Sequence, residues 1–333
     1  MSTPSTPNDL QQKLDAFDRY RKRQYARVRR ARRLRRLLKI LFIPFLLVMG
    51  LTALLPFILP VTGPIVLIGA ILGIIRLFVD GREDTLQDSL SQRFKAEVVA
   101  HAIQQYNPEW HYNGEGKLPR YHVDDAGIFD HEISSYQGED YVKGTLNGKA
   151  FEFSELNIYK RVVTAGKVLS ETFFGSEDEN TDYTTPIPMF KGLMFSLDLE
   201  LPTIPSLIVV SNRTNRYWLF KDKVLSGRKL LPVGDREFQQ RFSVYASDPD
   251  FVASVLTKDV MDQLLAFEHD PNTRVLAAFV FGRLLLGLDW DRNLFECDYK
   301  VGMPTTEDFE VLLREVALVE KLATALAAQV PTQ

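Results

Sequence analysis

The sequence predicts an α+β fold: a basic amino-terminal helix, a two-helix transmembrane hairpin, and a cytosolic domain with a mainly antiparallel sheet and a carboxy-terminal helix. Three observations predict it. Residues 37–79 are apolar apart from Lys39 and Arg76. Strand-like segments dominate from about residue 128 to 246, and helical periods follow them rather than alternate with them, the order expected of α+β rather than parallel α/β domains. Charge is also divided along the chain, with 14 Lys/Arg against 4 Asp/Glu in residues 1–80 and 26 against 39 in residues 81–333. A net charge of −3 thus hides a basic end joined to an acidic body.

Met1–Pro7 is polar and proline-rich, and Asn8 or Asp9 can cap a helix over 9–38. Residues 1–36 therefore read as a polar start and a basic juxtamembrane helix. Within it Arg29, Arg30, Arg32, Arg33, Arg35 and Arg36 are the expected membrane-surface residues, facing anionic headgroups. The apolar run is long enough for two crossings, since one helix needs roughly 20 residues. Leu59-Pro60-Val61-Thr62-Gly63-Pro64 divides it into spans 37–59 and 61–79, with Pro60, Gly63 and Pro64 making the turn. The same stretch contains LPVTG, the form of a cell-wall sorting signal, but apolar sequence lies on both sides of it, so it reads as a turn. Thirteen Lys/Arg in residues 1–39 put the amino terminus in the cytoplasm, and two crossings return the carboxy terminus there, as expected of a multi-pass membrane protein. Nucleic acid is not the expected partner, because the basic cluster abuts the apolar run.

Residues 80–106 read as an amphipathic connecting helix, with Leu86, Leu90, Phe94, Val98 and Ala102 every four residues. Residues 107–333 form the α+β domain. A polar loop over 113–125 precedes strands over 128–134, 141–146 and 150–156, the last two joined by Asn147-Gly148, the pair preferred by type I′ hairpins. A longer strand or bent pair over 161–174 and an acidic loop over 175–185 follow. Strands are expected over 189–200, 206–211, 217–220 and 238–246. Helices are expected over 250–256 and 258–267, and a hairpin over 274–281 and 284–290. A helix over 305–329 opens with Thr305-x-x-Asp308, a capping-box-like start.

Four blocks carry a family resemblance: YQGEDYVKGTLNGKAFEFSEL (136–156), FKGLMFSLDLE (190–200), EFQQRFSVYASD (237–248) and LTKDVMDQLLAF (256–267). With the paired apolar segments, they resemble a bacterial family of two-span inner-membrane proteins of unknown function, sometimes labelled galanin-like. The resemblance implies a bacterial inner-membrane protein and transfers no activity and no catalytic residue.

His111, His122 and His131, among Asp124, Asp125, Asp130 and Glu132, are the candidate metal ligands, although their spacings of 11 and 9 match no compact zinc pattern. Glu152 and Glu155 are a candidate carboxylate pair. Cys297, the one cysteine, has no nucleophile context and excludes an intrachain disulfide. No GxSxG, P-loop or GxGxxG occurs, so no catalytic residue is assigned and no cofactor is expected. The expected function is a membrane-anchored binding, adaptor or sensor module with an anionic bilayer and an unidentified cytoplasmic protein as partners. The alternatives are a membrane-tethered enzyme acting on a lipid or small molecule, and a domain that senses lipid headgroups.

Overall fold

Asn147 and Gly148 take φ of 52° and 78°, the left-handed pair that a type I′ turn requires. They join β2 (Ser135–Leu146) to β3 (Lys149–Val163), and β3 pairs in turn with β4 (Thr184–Asp198). In the computed structural model these strands belong to a nine-stranded sheet in which every pairing is antiparallel, ordered β1-β2-β3-β4-β9-β8-β5-β7-β6. The remaining strands are β1 (His111–Asn113), β5 (Leu207–Ser211), β6 (Lys229–Leu231), β7 (Phe242–Ala246), β8 (Arg274–Val280) and β9 (Arg283–Asp289). The structure describes residues 9–26, 33, 37, 85, 87–129, 133–163, 184–199, 206–212, 228–290, 292, 294–297 and 303–327.

The chain divides into two compact units, Met1–Ala102 with Phe295–Phe309, and Ile103–Leu294 with Glu310–Gln333. In the first, residues 9–26 are helical and bury Leu14 and Phe17, whose ring meets Phe94 edge-on at 5.2 Å. Arg93 lies 4.1 Å above the Tyr20 ring, and His101 bonds Asp9 at 2.8 Å. Cys297 is buried there, and its carbonyl accepts from Gln87 at 2.8 Å.

The second unit holds the sheet, and both of its faces are buried. Side chains alternate along a strand, so Phe151, Phe153, Phe195, Leu284, Leu286, Phe279 and Leu207 fall on one face. Trp110 packs there on Phe151 at 5.2 Å and donates its indole N–H to Thr145 O at 3.0 Å. The other face carries Leu156, Ile158, Phe190, Met194, Ile208, Leu276, Ala278 and Leu285, capped by Leu118, Val123, Ala126 and Ile128. Of the helices from Ala100 onward, α1 is Ala100–Tyr106 and α2 is Tyr121–Ala126. They continue with α3 (Arg236–Arg241), α4 (Pro249–Val255), α5 (Lys258–Ala266) and α6 (Thr306–Ala327). In α6, Leu312, Val316, Val319, Leu322 and Leu326 are the buried stripe.

The α+β class holds, and one part of the expected fold is corrected. Among the described residues no helix is long and apolar enough to cross a membrane, so the expected transmembrane hairpin drops out of the fold class. The long helices described, 9–26 and α6, intersperse Asp, Glu, Lys and Arg with their apolar residues, and burying those charges in hydrocarbon is prohibitive. Residues 38–84, with Pro60, Gly63 and Pro64, lie outside the described residues. So do Arg29, Arg30, Arg32, Arg35 and Arg36, while Arg33 is helical and exposed.

Locally, 121–126 is a helix where a loop was expected, and 236–241 is helical before β7, where one strand was expected over 238–246. Asp235 explains the second case: its carboxylate accepts from Phe238 N at 2.9 Å, an N-cap that starts a helix.

Candidate functional site

The register sets one polar row across the sheet. Glu152 lies opposite Ser196, Ser196 opposite Leu285, and Leu285 opposite Ala278. The adjoining row places Asp198 opposite Arg283 and Arg283 opposite Val280. Helix α2 packs over the β8–β9 end of these rows, and it stops where Gly127 adopts φ of 56°, a left-handed cap. Between helix and turn lies a cleft of about 250 Å³, lined by Tyr121, His122 and Asp125 from α2 and by Val280, Phe281 and Arg283 from the β8–β9 hairpin.

His122 occupies the cleft floor, its side chain only 1% exposed. Arg283 Nη1 donates to His122 Nδ1, which leaves the proton of a neutral ring on Nε2. That nitrogen lies 3.3 Å from Glu152 Oε2, a contact that is electrostatic rather than a well-aligned hydrogen bond. The neighbouring His122 ring is the largest cause holding the Glu152 carboxyl below its usual range; burial opposes it, and Tyr141 and Arg283 add to it. Burial, and then the Glu152 charge, push the Tyr141 hydroxyl up to about 12. Arg283 also binds Asp198, through Nε at 2.8 Å and Nη2 at 2.8 Å. The guanidinium is thereby committed on all three nitrogens.

Ser196 Oγ lies 3.5 Å from His122 Nδ1, so Ser196, His122 and Glu152 have the residue types of a hydrolytic triad. The geometry opposes that chemistry. Ser196 is 3% exposed, and the nitrogen that would take its proton already accepts from Arg283. A nucleophile needs both a free base and access to substrate, and this serine has neither.

The rim is apolar and aromatic. Tyr121 is 55% exposed and its ring lies 4.2 Å from that of His122. Phe281 is 59% exposed and sits at φ of 52° ahead of Gly282 at 75°. A bulky residue in left-handed backbone is a genuine outlier. Such strain is typical of sites where surrounding structure holds a residue for a purpose. Asp125, on the same rim, is exposed and makes no hydrogen bond or ion pair among the described residues.

Of the sequence-derived candidates, His122 lies in this cleft. His111 is on the exposed edge strand β1, with Nδ1 3.1 Å from Glu109 O, and His131 lies outside the described residues. No group of three His, Cys, Asp or Glu able to hold a metal occurs among the described residues. Glu152 and Glu155 are three residues apart on one strand and so face opposite sides of the sheet. Sequence reasoning missed Tyr121, Phe281 and Arg283 as site residues. The available signal was Phe281-Gly282 at the hairpin, where a type I′ turn prefers Asn-Gly.

Known proteins add little to this geometry. No curated protein matches the chain. A crystal structure of the mycobacterial trehalose monomycolate transport factor A, TtfA, aligns at 11% identity over 70% of this chain and 93% of that one, with a TM-score of 0.33. A likeness that loose carries no argument about fold or function. A family model described as a protein of unknown function, DUF3137, matches residues 188–327. The match includes Ser196, Asp198, Phe281 and Arg283 but not α2. It agrees with the expected family only in having no assigned function, and neither membrane spans nor the galanin-like label follow from it. Residues 188–327 are thus similar to DUF3137, a domain of unknown function, over less than half of the chain.

Proposed function

We propose that the chain is a binding module of adaptor type, which holds a protein partner in the cleft between α2 and the β8–β9 turn. The observation that carries this reading is Phe281, a large apolar ring held in strained backbone and left 59% exposed at the cleft lip. Exposed aromatics beside a concave, partly polar site have the chemistry of interface anchors. Tyr121 supplies a second ring on the facing side. The blocked Ser196–His122 pair favours binding over the enzymatic alternative.

The expected place of action, the cytoplasmic side of a bacterial inner membrane, remains part of the proposal: the family resemblance implies it, and charge favours it. Thirteen Lys/Arg in residues 1–39 favour an anionic surface. The test of the binding role is photo-crosslinking from a benzoylphenylalanine placed at position 281 in cells making the full chain. A discrete adduct supports the role, and none from this position overturns it.

A further inference from the structure

We infer, resting on the cleft being a partner-binding site, that its occupant is a cationic side chain, an arginine or lysine presented by a basic segment of the partner. The sign of the site decides this. The cleft's own cation is already neutralised, because the Arg283 guanidinium is shared between the Asp198 carboxylate at 2.8 Å and the His122 ring. An incoming anion would have to displace Asp198 while facing the Asp125 and Glu152 charges. A cation meets the opposite arrangement. Asp125 lines the cleft as an exposed carboxylate with no hydrogen bond or ion pair among the described residues.

The walls suit the same ligand. Tyr121 and Phe281 line the cleft and are more than half exposed. The negative face of an aromatic ring attracts a guanidinium or ammonium, and desolvation strengthens the attraction. One side of the Tyr121 ring is taken by His122 at 4.2 Å, and the Phe281 ring meets no other aromatic ring among the described residues. Size agrees as well. At about 250 Å³ the cleft falls short of the roughly 300 Å³ at which small-molecule sites begin, and is on the scale of one long side chain. The surrounding charge has the matching sign, since residues 81–333 carry 39 Asp/Glu against 26 Lys/Arg. Such an excess steers a basic segment toward the surface and makes its capture sensitive to salt.

The experiment places 4-fluorophenylalanine at position 281 of the full chain and follows its ¹⁹F resonance at low salt. The probes are the capped peptide Gly-Ser-Arg-Ser-Gly and the same peptide with citrulline, the neutral isostere, in place of arginine. The expected result is a saturable shift with the arginine peptide, weakened roughly two- to fivefold by citrulline, by Asp125→Asn, or by 0.5 M salt, the scale of one exposed charge pair. Asp125→Asn alters an exposed group that is unpaired among the described residues and leaves the fold unchanged, which the spectrum of the free protein checks. Equal binding of the citrulline peptide overturns the inference, as does indifference to Asp125→Asn or the absence of a saturable shift at millimolar arginine peptide. A partner crosslinked from position 281 that the arginine peptide fails to displace overturns the cationic ligand and leaves the binding role standing.

Discussion

Replacing Phe281 by Gly, Asn and Ala separates the strain at the turn from the packing of the ring. The ring is 59% exposed, so about two-fifths of its surface is covered, roughly 80 Å² for a side chain of this size. At about 25 cal/mol per Å², losing that contact costs about 2 kcal/mol as an upper bound. All three replacements incur this loss. They differ at φ of 52°, which costs an ordinary L-residue roughly 1–2 kcal/mol and which Gly and Asn tolerate. Glycine returns about 0.4–1 kcal/mol of this through its freer unfolded chain. The expected order of stability is therefore Asn at or above Gly, and both above Ala by about 0.5–1 kcal/mol, the reverse of the usual Ala-over-Gly order in regular elements. Urea unfolding followed by tryptophan fluorescence, with m-values compared to establish two-state behaviour, measures it. An Ala variant as stable as the other two would show that position 281 is not strained, and the inference from strain to function would fail.

Two further predictions concern the scaffold. A Cβ at Gly192, where φ is 150°, would lie 2.1 Å from Leu288 O on the paired strand. Gly192→Ala should therefore cost at least about 4 kcal/mol or prevent folding, while Gly148→Ala, strained at φ of 78° but in open space, should cost about 0.5–1 kcal/mol once glycine's freer unfolded chain is counted; similar thermal midpoints for the two would refute the β4–β9 register. Glu315 is fully buried, and burial raises its carboxyl pKa against the opposing pull of His269 at 3.3 Å and of Arg314. The folded chain then holds this proton more tightly than the unfolded one, so the stability it contributes is complete below the ordinary carboxylate range and is lost as pH rises through the raised value. Glu315→Gln should flatten the decline of stability with rising pH in that window, and an unchanged slope in urea titrations at several pH values would contradict the burial argument.

What could be read from the sequence was local and periodic. The Asn147-Gly148 hairpin was legible because both residues suit left-handed backbone, and the structure gives them φ of 52° and 78°. α6 was legible because its apolar stripe repeats over six turns and Thr305 and Asp308 cap it reciprocally, at 2.7 Å from Thr305 N to Asp308 Oδ2 and 3.4 Å back. α2 was not, since six residues with two Asp and one His show no period, and its helix depends on burying Val123 and Ala126 against the sheet. β3 was read as pieces, 150–156 and the start of 161–174, and β4 as a shorter strand beginning at 189, because the irregular pairing near Ile158 and the prolines Pro186 and Pro188 interrupt their alternation.

The site itself was illegible for a different reason. His122, Glu152, Ser196 and Arg283 come from four separate elements, and only the sheet register brings them together. Grouping His122 with His111 and His131 followed proximity in sequence, whereas its polar side-chain partners lie 30 to 161 residues away.

The most direct test of the central claim is the yield of photo-crosslinks from benzoylphenylalanine at position 281, compared with position 240, in cells making the full chain. Gln240 is exposed on α3, away from the cleft lining, and serves as the control. The binding role predicts a discrete protein adduct from position 281, absent from position 240 and diminished when Tyr121→Ala removes the facing ring. No adduct from position 281, or the same adducts from both positions, would contradict it.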